Sequence, residues 1–99
     1  MEGISIRYRY DGDEATWRAA VDGFIEAVNA DPDIRGKFSY AVSVAADGVT
    51  RLHVGKWDSG ATLETLQSRD YFKTFSQSVK GFAGDTLEPV RTSLYRETG

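Results

Sequence analysis

The sequence predicts an α+β domain in which two amphipathic helices lie against one face of a four-stranded antiparallel sheet. Three observations predict it. Four short segments alternate apolar and polar residues with the period of two that a strand imposes on its side chains. Two longer segments space their apolar residues three and four apart, which draws one stripe along a helix. Between two of the alternating segments stands Asp47-Gly48, a pair suited to the tight turn that joins antiparallel neighbours. A chain of 99 residues suits a single domain, residues 1–99.

The elements follow in order. Ile4-Ser5-Ile6-Arg7-Tyr8-Arg9-Tyr10 alternates strictly and reads as the first strand, ended by the turn Asp11-Gly12-Asp13. Trp17, Ala20, Val21, Phe24, Ile25 and Val28 then fall on one helical stripe. Either Asp11, with Glu14 three residues on, or Asp13 can cap that helix's free N–H groups. The helix ends near Asp31-Pro32, because a residue preceding proline avoids helical geometry. Phe38, Tyr40, Val42 and Val44 alternate with Ser39, Ala41, Ser43 and Ala45 as a second strand, and Val49 to Trp57 returns as a third. Asp58-Ser59-Gly60 opens a second helical region. Leu63 and Leu66 form its first piece, Ser68-Arg69-Asp70 marks a fresh cap or a kink, and Tyr71, Phe72, Phe75, Val79 and Phe82 continue the stripe. Leu87 to Tyr95 is the fourth strand, with Pro89 near its start, where a missing N–H does least harm. The order β-α-β-β-α-β is the ferredoxin-like arrangement, and right-handed crossovers put both helices on the same sheet face.

Composition excludes several function classes. The formal charge of −3 and the scattered basic residues argue against a nucleic-acid surface, which needs a concentrated basic face. No apolar run approaches the ~20 residues that span a bilayer. The start, Met1-Glu2-Gly3-Ile4, lacks a basic region followed by an apolar stretch, so no secretory signal is expected and the cytoplasm is the default compartment. With no cysteine, disulfides, thiolate catalysis and Cys-based metal sites are ruled out. Asp11-Gly12-Asp13-Glu14 lacks the spaced ligands of a calcium loop. No phosphate-cradling glycine loop is present, and no metal or cofactor is expected.

Two helices cover one sheet face and leave the other open. Ser5, Arg7, Arg9, Ser39, Ser43 and Arg51 form a set that water can solvate. Leu52 and Val54 on the third strand point away from His53, Gly55 and Trp57, and Val90 and Leu94 on the fourth are opposed by Tyr95. Apolar and aromatic residues on both sides of two strands imply that both faces are partly buried. A two-fold copy of the sheet would do this; a monomer with a wet serine- and arginine-rich face is the other reading.

The stretch from Lys56 to Phe75 resembles the antibiotic-biosynthesis-monooxygenase domain of the dimeric α/β-barrel superfamily. Trp57 ends a strand, Ser59 follows two residues later, Leu63 and Leu66 lie on a helix, and Ser68 precedes the aromatics Tyr71, Phe72 and Phe75. The element order matches over about residues 4 to 96. The resemblance implies a homodimer whose sheets face each other as a barrel. It also implies a small aromatic substrate and O₂ as partners if the chain is an enzyme. The superfamily's haem-degrading branch is similar up to a point. It has a second Trp nine residues after the first and a His ten residues beyond, and those positions are Leu66 and Ser76 here. A histidine is the usual haem anchor, so that branch is rejected. The cofactor-free oxygenase branch resembles a site with a Trp on the third strand, here Trp57, and a hydrogen-bonding residue four positions earlier, here His53. An arginine that some members use is Gln77.

Oxygenation without a metal needs a dry pocket, a proton acceptor, and donors for an enolate oxygen. His53 suits the base, since imidazole titrates near neutrality. Trp57 suits stacking on a flat ring, and Gly55 between them leaves space for one. Tyr8, Tyr40, Tyr71 and Phe72 are the candidate substrate-binding residues. Each also fits a structural place: Trp57 and the tyrosines as packing, His53 as a structural or surface histidine, Ser68 as a helix cap. The functions implied are a cofactor-independent monooxygenase of polycyclic aromatic or quinol-like molecules, a non-catalytic dimeric small-molecule-binding domain, or an isomerase or cyclase working by proton abstraction. Alternation alone leaves open which sheet face carries the pocket, because a β-bulge would shift the count.

Overall fold

The computed structural model describes residues 1–99. Strand β1 spans Glu2–Arg9, helix α1 Glu14–Ala30, β2 Phe38–Val44 and β3 Thr50–Trp57. Helices α2 (Gly60–Ser68) and α3 (Asp70–Ala83) follow, then a short 3₁₀ turn and β4 (Glu88–Ser93). The sheet is antiparallel throughout, in the order β2-β3-β1-β4. This is the ferredoxin-like architecture expected from the order of elements.

Local chemistry explains the boundaries. Asp13, of the two candidate caps, accepts the Thr16 N–H at 2.8 Å and starts α1. The Asp47-Gly48 turn forms with Gly48 at φ +74°, a conformation a side chain would disfavour. The Asp47 carboxylate accepts the N–H groups of Val49 and Thr50, which holds its pKa down at about 2. The second helical region is two helices, not one. Arg69, at φ −76° and ψ 138°, is extended and breaks the run. Ser68 does not cap the new helix, as expected from sequence; its hydroxyl donates to the Thr65 carbonyl at 2.6 Å and closes α2 instead. Ser59 caps α2 by accepting the Thr62 N–H.

The core lies between the helices and one sheet face. Trp17, Val21, Phe24 and Val28 of α1 meet Phe75 and Val79 of α3 above Tyr8, Phe38 and Trp57. Ile34, in the loop after α1, is fully buried. On the opposite face Leu52, Val54 and Val90 stand in the open, as does Leu94 just past β4. Tyr95 lies beyond β4 and is 94% exposed, so it opposes nothing within a strand. No helix is long and apolar enough to cross a membrane.

Candidate active site

Register decides which side chains meet. Ile6 pairs with His53 and Tyr8 with Arg51 across β1 and β3, while Tyr40 pairs with Gly55 across β2 and β3. Facing pairs share a side, so Tyr8, Tyr40, His53 and Trp57 all point beneath the helices. The face left open by alternation is therefore the helix-covered one.

Three of these side chains, Tyr8, His53 and Tyr40, form a chain of hydrogen bonds with Trp17 of α1. Trp17 Nε1–H donates to Tyr8 Oη at 2.8 Å, Tyr8 Oη lies 2.9 Å from His53 Nε2, and Tyr40 Oη lies 2.7 Å from His53 Nδ1. Burial pushes the His53 pKa down to about 4, so the ring is neutral at pH 7 and carries one N–H and one lone pair. Tyr8 is 1% exposed. It already accepts from Trp17, and its own proton has one acceptor within reach, Nε2. Satisfying that buried proton makes Nδ1–H the donor to Tyr40. The Tyr40 hydroxyl proton is then the free end of the chain, with no protein acceptor. Burial raises the pKa of both tyrosines, so both stay protonated.

Tyr40 also lines a cavity of about 250 Å³. Tyr40, Ile4, Ile6, Phe72, Phe75 and Val79 line its walls between the sheet, β4 and α3. Phe75 stacks on the His53 ring with centroids 5.8 Å apart and on Phe24 at 4.2 Å, so the imidazole is enclosed by aromatic faces. Trp57 is 2% exposed, its Nε1–H has no partner, and the Arg91 guanidinium sits 5.0 Å from its ring centre. Neither His53 nor Trp57 lines any of the five principal cavities. The space over Gly55, expected from sequence to admit a flat substrate, holds the Tyr40 ring: a Cβ there would stand 2.9 Å from Tyr40 Cδ1.

No protein-family profile matches the sequence. No curated protein matches it significantly. Solved structures do match. Rv0793 from Mycobacterium tuberculosis superposes with a TM-score of 0.78 at 16% identity, over 99% of this chain and 98% of that one. SnoaB, a cofactor-independent oxygenase from Streptomyces nogalater, gives 0.75 at 10% identity over 97% and 94%. A candidate antibiotic biosynthesis monooxygenase from Nitrosomonas europaea gives 0.74 at 13% identity over 96% and 100%. This chain shares the fold of these structures.

Within that fold the remaining sequence-predicted residues divide. Phe72 reaches the cavity. Tyr71 does not; its hydroxyl donates to Asp31 Oδ2 at 2.8 Å and it borders a groove between α1 and α3. Arg51, grouped by residue type with the wet sheet face, lies on the other face and is 1% exposed. Its guanidinium pairs with Glu14 at 2.9 Å, donates to the Tyr10 and Gly48 carbonyls, and sits 4.3 Å from the Trp17 ring centre. Strict alternation with His53 and Trp57 would have placed it there. Trp17 was read only as part of a core stripe; its role as the donor that fixes Tyr8 depends on β1–α1 packing, which no local pattern carries.

Proposed function

We propose that this chain is a cofactor-independent monooxygenase of polycyclic aromatic or quinol-like small molecules. The observation that carries the reading is the hydrogen-bonded chain Trp17–Tyr8–His53–Tyr40, whose last member lines a cavity with largely apolar and aromatic walls. The fold shared with SnoaB supports it.

A phenol or anthrone enters the cavity with its oxygen at Tyr40. The Tyr40 hydroxyl donates to that oxygen, and His53 Nδ1–H, donating to Tyr40 from behind, strengthens the donor. For base catalysis the ring must adopt the other tautomer, in which Nδ1 accepts from Tyr40 and the Tyr8 proton gives up its acceptor Nε2. A proton passed from substrate to Tyr40 and on to Nδ1 then leaves an imidazolium beside the substrate anion. Burial disfavours that imidazolium, and the anion's charge offsets the cost. The anion delivers an electron to O₂. Overall an anthrone CH₂ becomes C=O, one oxygen atom enters the product and the other leaves as water, with the substrate supplying all four electrons that reduce O₂. Trp57 lines none of the principal cavities, and its buried N–H, though without a partner, takes no step here.

The assembly in this reading is a homodimer in a cytoplasmic setting, closed by the open sheet face carrying Leu52, Val54, Val90 and Leu94. One observation favours a second reading, a non-catalytic dimeric binding domain: both His53 nitrogens are engaged and His53 lines none of the principal cavities. An oxygen electrode separates the two with a panel of anthrones and hydroquinones. Uptake is expected, slowed about 10²-fold or more in Tyr40→Phe and His53→Ala. Uptake unchanged in both variants removes them from the mechanism, and stabilisation by ligand with no uptake favours the binding domain.

A further inference from the structure

The hydrogen-bond chain through His53 can run in either direction, and the residue at its far end sets which. Trp17 Nε1–H donates to Tyr8 Oη at 2.8 Å. An indole nitrogen donates and never accepts, so it offers the Tyr8 proton no place to go. His53 Nε2, 2.9 Å away, is the acceptor left. In the reverse direction Nε2–H and the indole N–H both converge on one buried phenol oxygen. The Tyr8 proton then has no acceptor, a costly state for a buried donor.

Arg51 holds the indole in place. It pairs with Tyr8 across β1 and β3, and its guanidinium sits 4.3 Å from the Trp17 ring centre. Glu14 of α1, the Tyr10 carbonyl after β1 and the Gly48 carbonyl of the hairpin anchor that guanidinium. Arg51 is the one charged side chain in the core. Its charge works against the burial that raises the Tyr8 pKa, which favours electron density on Oη and a proton directed at His53. Trp17 and Arg51 thus bias the chain the same way.

We propose that Trp17 is a positioning residue that sets the direction of the chain, so that His53 rests as the Nδ1–H donor to Tyr40. Trp17 lines none of the principal cavities and acts through Tyr8. The inference deepens the oxygenase reading and rests on it for its consequence alone. The resting chain ends in a donor for a substrate oxygen, and proton abstraction must first reverse the chain at the expense of the Tyr8 acceptor.

His53 is the only histidine, so the imidazole ¹⁵N spectrum of tag-free protein at pH 7 carries one pair of signals and reports the tautomer directly. The wild type is expected to hold the proton on Nδ1 at least about tenfold over Nε2. Trp17→Phe keeps an aromatic ring beside Arg51 but removes the N–H, and should shrink that ratio about threefold or more. Trp17→Gln places a carbonyl acceptor there and should move the proton to Nε2; if it does not fold, Trp17→Phe decides. A wild-type ring protonated on Nε2, a ratio unmoved in Trp17→Phe, or a folded Trp17→Gln still protonated on Nδ1 overturns the inference. The oxygenase reading fails separately, if the tautomer responds as expected but no anthrone or hydroquinone consumes oxygen.

Discussion

Gly55 and His53 show how much a single position carries. Alternation put His53, Gly55 and Trp57 on one face, and the structure agrees. What fills the space over Gly55 comes from a different strand, through the β2–β3 register, and so was not legible locally. Gly55→Ala drives a methyl into the Tyr40 ring; a loss of about 1–3 kcal/mol in urea unfolding is expected. For His53 the sign is set by burial. The native pKa of about 4 lies below the unfolded value of 6.5, so the native state binds fewer protons between the two. Stability is full above pH 6.5 and falls as the pH drops toward 4, by on the order of 3 kcal/mol. Urea titrations should show this slope between pH 6.5 and 5, above the range of the depressed carboxylates. His53→Gln should abolish it, and a wild-type stability flat over that interval would refute the assignment of a buried neutral ring. Arg51 teaches the complementary lesson: residue type suggested solvent, but Glu14, two carbonyls and the Trp17 ring satisfy it inside.

Elements were legible where their signals are local. The hairpin at Asp47-Gly48, the Asp13 cap of α1 and the apolar stripes of α1 and α3 all depend on neighbours in sequence, and each stands where its pattern allowed it; the expected Ser68 cap does not form. The break at Arg69 was visible as a fresh start, but its cause is tertiary. Arg69 Nε reaches Asp31 Oδ2 at 2.9 Å and Nη2 reaches Asp33 at 2.9 Å, tying the loop after α1 to the start of α3. Asp31 is held below the usual carboxylate range by that guanidinium, with Tyr71 donating as well. Arg69→Met is expected to lower the melting temperature and raise the Asp31 pKa toward its ordinary value, read by NMR titration of the carboxylate. An unmoved Asp31 would show that the pair does not persist in solution. At the α2 N-terminus, Ser59→Ala removes the cap on the Thr62 N–H and should cost about 1 kcal/mol.

At the scale of the molecule, the layer order followed from sequence because two helical stripes need one sheet face. The position of the candidate site did not, since it is assembled from β1, β2, β3, α1 and α3 at once. The open face carries Leu52, Val54, Val90 and Leu94 in a patch that a second sheet would bury. Sedimentation of the wild type should give a dimer, and Val54→Asp on this face should shift it toward a protomer; a wild-type protomer at micromolar concentration would contradict the barrel. The central claim is that the buried tyrosine–histidine chain serves oxygen insertion into an aromatic substrate. Mass spectrometry of the product formed from an anthrone under ¹⁸O₂ tests it most directly. The account predicts one labelled oxygen in the product, with loss of product in Tyr40→Phe. A product of unchanged mass, or an oxygen drawn from unlabelled water, would contradict it.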